Sequence, residues 1–246
     1  MRFERDGARR ARRMALICTL SGLAAMGIAP LARSAAPPPQ APHTAVYAPR
    51  GEAAGQRPVT VMLHGLCGHP ESACGPFVDA STAHGWLVCP RGEDPCGGGS
   101  RWRLQAAQDG RLVDEAVGEL AREEDGRVDA SAPRVIVGFS LGGIAAVRIA
   151  ESGVDRYAGL VVVASQVHPS AERLKQAGVR RVVLAAGDYD ITSAPLQEDA
   201  AALNRAGLAT RFVSLGKFGH GYPADMEERM REPMAWVEAA VAPPTN

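Results

Sequence analysis

The chain is 246 residues long and carries 27 basic and 27 acidic side chains, so its formal net charge is zero. Its first 36 residues hold seven arginines and only two acids, which leaves 20 basic and 25 acidic side chains in the remainder. That acidic remainder offers no basic face for nucleic acid, and we expect no such partner. Its length of about 210 residues is enough for one sizeable core.

Residues 1–36 have the composition of an export signal. Four arginines between positions 9 and 13 precede a mostly apolar run, Met14–Leu31, and Ser34–Ala36 offers small residues for cleavage. The apolar run has no stop-transfer pattern after it, so we expect no stable membrane span once the signal is removed; a buried N-terminal helix is the alternative. The predicted location is periplasmic or extracellular, and both the general and the twin-arginine export routes stay open.

The mature chain is expected to begin with a tether and to continue as one domain. Residues 37–43 are rich in proline, which predicts a stiff, extended segment. The domain is assigned to residues 44–246.

Four cysteines follow the predicted signal, at Cys67, Cys74, Cys89 and Cys96. An even number of cysteines in an exported chain predicts two disulfides, and three pairings are possible. Four free thiols in a protein that is never exported is the alternative. Their spacing matches no zinc or redox motif, so we expect no metal there.

Short apolar runs alternate with helical patterns along the domain. Strands are predicted at 43–47, 57–63, 86–89, 134–137, 157–165, 181–186 and 210–215. Helices are predicted at 76–84, 104–124, 144–150, 170–177, 194–206 and 224–241, the last kinked or split at Pro233. Residues 91–101, rich in Gly, Pro and Asp, are predicted to be loop. The alternation favours an α/β fold with a mostly parallel sheet covered by helices on both faces.

The motif Gly138–Gly143 (GFSLGG) lies at the junction of a predicted strand and a predicted helix. A G-x-S-x-G sequence in that position typically holds a serine hydroxyl exposed above the sheet. An ordinary glycine-rich turn is the alternative. The flanking strand and helix favour Ser140 as a nucleophile.

Two further strand ends carry reactive side chains, namely Asp188 or Asp190 and then His220. A serine needs a base within hydrogen-bond reach, and the base needs a partner that fixes its tautomer. The order Ser, acid, His is that of one of the known serine-triad folds. We predict Asp190 as the acid, because the chain has turned back towards the histidine loop by that residue. Asp188 is expected to accept hydrogen bonds from backbone amides of the turn.

The tetrahedral oxyanion of acyl transfer usually needs two backbone N–H groups. One is predicted to come from Leu141, directly after the serine, and the other from Leu66, in the loop after the second strand. His64 in the same loop is expected to be a packing residue.

These motifs resemble those of the α/β-hydrolases, and in particular their compact carboxylesterase, phospholipase and acyl-protein thioesterase branch. The residues that carry the resemblance are His64–Leu66, Gly138–Gly143, Gly187–Asp190 and Gly219–Gly221, and it spans roughly residues 44–241. It implies a triad of Ser140, Asp190 and His220 and an oxyanion amide at Leu66. The chain departs from the branch in having Leu141 where a Gln is common.

The sequence therefore predicts an exported serine hydrolase that cleaves a small-molecule carboxylic ester through an acyl-enzyme, without a cofactor. A thioesterase or peptidase with the same triad, and a secreted binding protein without turnover, are the alternatives. Only about 15 residues separate the strands at 157–165 and 181–186, too few for a cap domain. We therefore expect an open site that prefers short esters, with Trp102, Phe139 and Phe218 as candidate pocket walls.

Overall fold

The computed structural model describes residues 44–51, 55–153 and 156–241. The export signal predicted for residues 1–36 and the tether predicted for 37–43 lie outside the described residues. Within the described ranges, no helix is both long enough and apolar enough to cross a membrane.

Nine strands and seven α-helices are found in the described parts of the chain. The strands are β1 Ala45–Tyr47, β2 Val59–Leu63, β3 Trp86–Cys89, β4 Asp94–Cys96, β5 Gly99–Arg101, β6 Arg134–Phe139, β7 Tyr157–Val163, β8 Arg181–Ala186 and β9 Ala209–Ser214. The helices are α1 Pro70–Cys74, α2 Val78–Thr82, α3 Ala106–Glu123, α4 Leu141–Ser152, α5 Ala171–Gln176, α6 Ser193–Arg205 and α7 Met226–Glu238, with a 3₁₀ turn at Gly75–Phe77.

Seven strands form one sheet in the order β1-β3-β2-β6-β7-β8-β9. All neighbours pair in parallel except β1, which is antiparallel to β3. Strands β2, β3, β6, β7 and β8 are buried along most of their length, as expected where helices cover both faces. The predicted α/β class and mostly parallel sheet are confirmed.

Two hydrophobic clusters lie on the two faces of this sheet. One joins the sheet to α3, α4, α5 and α6, and the other joins it to α1, α2 and α7. Parallel pairing brings the carboxyl ends of β2, β6, β7, β8 and β9 to the same edge. The loops that follow these ends therefore meet, and they contain the sequence motifs.

Two local predictions were wrong, and the split predicted as one possibility for the last helix is not found. Residues 91–101 are not simply loop, because β4 and β5 pair as an antiparallel hairpin in which Cys96 lies opposite Gly99. The first helical segment begins at Pro70 and not at residue 76, since proline is well tolerated in the first turn of a helix. Helix α7 continues through Pro233 and is not split there.

The four cysteines form two nested pairs. Cys67 is paired with Cys96, with a Cα–Cα distance of 4.8 Å, and Cys74 with Cys89, at 6.1 Å. Both distances are normal for disulfides. The first pair joins the loop after β2 to the β4–β5 hairpin and is partly exposed, whereas the second joins α1 to β3 and is fully buried. The structure thus selects one of the three pairings that the sequence left open.

Candidate active site

Ser140 lies at the sharp turn between β6 and α4, with φ 52° and ψ −118°. A positive φ is uncommon for a residue with a side chain and persists only where the surroundings hold it. The turn is also crowded: a Cβ atom at Gly138 would lie 2.2 Å from the carbonyl oxygen of Gly142, and one at Gly142 would lie 2.2 Å from that of Leu63. The spacing of the glycines in the motif is therefore a steric requirement of this turn.

Two hydrogen bonds from β7 and the residues after it hold the backbone of Ser140. Its amide donates to the carbonyl oxygen of Val163 at 2.9 Å, and its own carbonyl accepts from the Ser165 hydroxyl at 2.7 Å. Ser165 was not predicted from the sequence. Nothing local marks it, because its partner lies 25 residues earlier in the chain.

The side chains of Ser140, His220 and Asp190 form one continuous chain of hydrogen bonds. His220 Nε2 lies 3.0 Å from Ser140 Oγ, and His220 Nδ1 lies 2.8 Å from Asp190 Oδ2. An ionised carboxylate only accepts hydrogen bonds, so the Nδ1 atom carries the proton and Nε2 is free to accept the serine proton. The structure brings together the three residues that the sequence predicted.

Asp190 is buried but remains well supplied with hydrogen-bond donors. Its Oδ1 accepts from both the amide and the hydroxyl of Thr192, each at 2.9 Å, and its Oδ2 accepts from His220. Burial alone would raise the pKa of Asp190, but these hydrogen bonds stabilise the charged form and hold the pKa below its usual value. The carboxylate facing His220 is thus ionised at neutral pH.

Asp188, the alternative acid in the sequence, points elsewhere. Its side chain is exposed, and its carboxylate accepts a hydrogen bond from the Ser214 hydroxyl at the end of β9. The predicted bonds from backbone amides of its own turn are therefore wrong. Asp188 instead ties the loop after β8 to the end of β9.

The two predicted oxyanion donors border Ser140. Leu141 is the first residue of α4, so its amide has no acceptor within the helix. Leu66 lies in a tight turn closed by a hydrogen bond from the Gly68 amide to the Gly65 carbonyl at 3.1 Å. Leu66 is 61% exposed and borders the clefts on both sides of Ser140.

His64 is a structural residue, as predicted. It is 1% exposed; its Nδ1 donates to the Gly65 carbonyl at 2.7 Å, and its Nε2 accepts from the Gly92 amide at 3.1 Å and the Ser100 hydroxyl at 3.0 Å. Burial lowers the pKa of His64, which keeps the ring neutral. Trp102 donates from Nε1 to the His64 carbonyl and is buried in the core, so its prediction as a pocket wall was wrong.

Two clefts meet at Ser140, His220 and Leu66. The larger, of about 430 Å³, is also lined by His69, Ser72, Ala73, Phe139 and Tyr222. The smaller, of about 280 Å³, is also lined by Ile144, Ser165, Gln166, Ile191 and Thr192. Among the described residues, no Asp, Glu, Lys or Arg lines either cleft. Phe139 is a wall as predicted, whereas Phe218 borders neither cleft.

A larger cavity, of about 670 Å³, lies at the opposite edge of the sheet, where β2, β6 and β8 begin. It is lined by Thr60, His84 and Glu238 among others. It contains no serine–histidine pair, so cavity size alone does not identify the reactive end of this molecule. Within the described ranges, no group of three or more His, Cys, Asp or Glu side chains is placed to hold a metal ion.

Comparison with known proteins gives matches at the level of structure alone. No family model and no curated protein matches the chain. An esterase named PE8 superposes with a TM-score of 0.61 at 17% identity, covering 80% of this chain and 99% of its own. A carboxylesterase of Bacillus cereus gives 0.57 at 17% identity, covering 81% and 94%. Acyl-protein thioesterase 2 of Zea mays gives 0.53 at 18% identity, covering 81% and 99%.

Proposed function

We propose that this chain, which has the α/β-hydrolase fold, is a serine hydrolase that cleaves carboxylic esters through an acyl-enzyme. The observation that carries the proposal is the hydrogen-bonded chain from Asp190 through His220 to Ser140. The esterase and carboxylesterase among the similar structures agree with it. Fold alone does not decide function, whereas the hydrogen-bonded side chains of the site are those that ester cleavage needs.

The geometry supports a two-step reaction. Ser140 Oγ attacks the ester carbonyl while His220 Nε2 takes its proton, and the ionised Asp190 stabilises the imidazolium that forms. The negative charge on the former carbonyl oxygen is stabilised by the amides of Leu66 and Leu141. His220 then gives its proton to the departing alcohol, which leaves an acyl group on Ser140.

Water completes the cycle by the same groups. His220 removes a proton from a water molecule that attacks the acyl carbonyl, and returns it to Ser140 Oγ as the acid leaves. A thioester could react in the same way, since only the leaving atom differs.

The clefts support a small, neutral substrate. Neither lining contains an Asp, Glu, Lys or Arg side chain that would form an ion pair and offset the desolvation of a charged acyl or alcohol group. Only α5 and its flanking loops lie between β7 and β8, so no cap domain from this connection covers the site. Short esters are therefore expected to react better than long ones.

We also propose that residues 1–36 direct export and are then removed. The two cysteine pairs agree with this, because disulfides persist in oxidising compartments. Determination of the N-terminus of protein recovered from the periplasm or medium tests the cleavage site. Cytoplasmic protein with an intact N-terminus would contradict the proposal.

The catalytic proposal is tested by Ser140→Ala. Loss of a triad residue usually lowers kcat by about 10⁴- to 10⁶-fold, and we expect ester hydrolysis and labelling by a fluorophosphonate to disappear. The thermal unfolding temperature is the control for folding. Folded Ser140→Ala protein with activity within tenfold of wild type would exclude the mechanism.

Substrate charge is tested with a matched pair. Butyrylcholine and 3,3-dimethylbutyl butyrate have nearly the same shape, but only the first is charged. We expect a higher kcat/KM for the neutral ester, and for p-nitrophenyl acetate or butyrate over the palmitate. A preference for butyrylcholine would contradict the neutral-substrate proposal, and a steady rise towards palmitate would contradict the open, short-ester site.

A further inference from the structure

We propose that the Cys67–Cys96 bridge is a positioning element for catalysis, because it holds the Leu66 amide where the oxyanion forms. The proposal rests on the proposed ester hydrolysis. It assigns to one of the two disulfides a role in the rate of the reaction, and to the other a role in stability alone.

The backbone next to Leu66 has an uncommon conformation. Cys67, the following residue, has φ 52°, in the left-handed region that residues with side chains seldom adopt. Such a conformation needs an external hold, because in a free loop it would relax. A relaxation at Cys67 would rotate the peptide units of the turn and with them the direction of the Leu66 N–H.

The β4–β5 hairpin packs against this turn and supports it. The β4–β5 hairpin lies so close that a Cβ atom at Gly99 would be 2.4 Å from the Cys67 carbonyl oxygen. The Ser100 amide donates to the Gly68 carbonyl at 3.0 Å, and the Ser100 hydroxyl contacts His64 Nε2. The hairpin is therefore the surface on which the loop of the oxyanion amide rests.

The hydrogen bonds and the disulfide hold different residues of the turn. The two hydrogen bonds from Ser100 hold His64 and Gly68, at the two ends of the turn. The disulfide to Cys96 holds Cys67, the residue bonded directly to Leu66. The covalent contact is thus the one that restrains the peptide adjacent to the amide that must point at the oxyanion.

The Cys74–Cys89 pair provides a matched control within the same molecule. It joins α1 to β3 inside the core, and both cysteines are 0% exposed. Neither cysteine lines the two clefts around Ser140. Its loss should lower the free energy of unfolding without changing the direction of the Leu66 amide.

The experiment compares Cys67→Ser/Cys96→Ser with Cys74→Ser/Cys89→Ser at a temperature where both variants are folded. For the first variant we expect kcat to fall by roughly 10- to 100-fold, since a misplaced group near the reaction can cost about 10² and a lost oxyanion donor 10²–10³. We expect KM to stay within about threefold, because the amide acts on the transition state. For the second variant we expect a lower unfolding temperature and a kcat within about threefold of wild type.

Phosphonate labelling gives a second measurement of the same effect. The phosphoryl oxygen of the probe needs the same amides, so the labelling rate should fall with kcat in the Cys67→Ser/Cys96→Ser variant alone. If a double variant does not fold, wild-type protein is treated with a mild reductant, alkylated and mapped by mass spectrometry. The partly exposed Cys67–Cys96 bridge should open first, with loss of kcat, and reoxidation of an unalkylated sample should restore it.

Three outcomes would overturn the proposal: an unchanged kcat without the Cys67–Cys96 bridge, an equal loss of kcat in both double variants, or an effect confined to KM. These outcomes are separate from a failure of the proposed function. If Ser140→Ala stays active, the mechanism itself is wrong. If Ser140→Ala is inactive and the variant without Cys67–Cys96 keeps its full kcat, only the positioning role is wrong.

Discussion

Two buried carboxyl groups at opposite edges of the sheet have pKa values that are shifted in opposite directions. Asp190, after the end of β8, is 6% exposed, and Glu238, at the end of α7, is 9% exposed. Asp190 accepts three hydrogen bonds and its pKa is lowered. For Glu238, burial raises the pKa to about 8, against the weaker opposing effect of the Thr60 and Ser81 hydroxyls.

The difference lies in the donors around each carboxyl group and in how strongly the surrounding protein desolvates it. Glu238 Oε1 accepts from the Thr60 hydroxyl at 2.9 Å. Neither Glu238 Oε2 nor Ser81 Oγ has a well-aligned partner among the described residues, although the two are close enough for Ser81 to lower the pKa a little. His84 Nε2 is 4.0 Å from Oε2, beyond hydrogen-bond distance. Hydrogen-bond donors thus keep Asp190 ionised, whereas stronger desolvation, which few donors offset, keeps Glu238 protonated at neutral pH.

Removal of the charge at Asp190 is expected to have the largest effect. Asp190→Asn keeps the shape of the side chain but leaves the imidazolium without its charged partner and favours the wrong tautomer, so kcat should fall by about 10⁴-fold. Asp188→Asn is the matched control and should change mainly stability, through its bond to Ser214. Measurement of kcat for both variants decides the assignment, and a larger loss for Asp188→Asn would refute it.

Glu238→Gln is expected to have an intermediate effect, on stability. The unfolded chain releases the Glu238 proton near pH 4.5, whereas the folded protein keeps it until about pH 8, so the free energy of unfolding falls as the pH rises through that window. Gln cannot ionise, so the variant should match wild type near pH 5 and exceed its stability by roughly 2–4 kcal/mol near pH 8.5. Urea denaturation at the two pH values tests this.

Activity is the control for Glu238→Gln, because the residue lies at the edge away from Ser140 and kcat should not change. A stability difference between Glu238→Gln and wild type that does not change between pH 5 and 8.5 would show that Glu238 is ionised in the folded protein.

The effect of Asp190 on stability depends on pH in the opposite direction. Its lowered pKa gives stability that is present above about pH 4 and is lost as the pH falls.

Thr192→Val is expected to have the smallest effect. It removes the hydroxyl donor to Asp190 Oδ1 and leaves the amide donor. Asp190 then has fewer hydrogen-bond donors, as Glu238 does. A hydrogen bond to a charged group contributes about 1.5–3 kcal/mol. Because the amide donor is retained, we expect a cost near the lower value, which corresponds to a loss of roughly tenfold in kcat/KM. The acid limb of its pH profile should move to higher pH.

Thr192→Ser, which keeps the hydroxyl, is the matched control and should stay close to wild type in both rate and pH profile. An unchanged acid limb in Thr192→Val would mean that the amide alone keeps Asp190 ionised.

The sequence predicted those parts of the molecule that depend on local patterns. Strand β8 has its predicted bounds because its apolar residues are continuous and fully buried between β7 and β9. Ser140, Asp190 and His220 were predicted because each follows a strand, and parallel strands bring their carboxyl ends together. The α/β class followed from the same alternation.

The parts that depend on distant contacts were not predictable. The β4 and β5 strands have three residues each, with Pro and Gly among them, and their pairing depends on the bridge to Cys67 and the contact with Gly68. The roles of Ser165 and Glu238 likewise come from partners that lie 25 and 178 residues away in the chain. No local pattern indicates such partners.

The nested order of the two disulfides has a consequence for biosynthesis. A chain that is made from its N-terminus presents Cys67 and Cys74 before Cys89 and Cys96, so pairing in order of appearance would join the wrong thiols. The native pattern requires the second cysteine to pair with the third and the first to wait for the fourth. Wherever an early Cys67–Cys74 bond forms, the native pairing requires thiol exchange that breaks it. We therefore expect disulfide isomerase activity in a recombinant host to raise the yield of correctly paired protein.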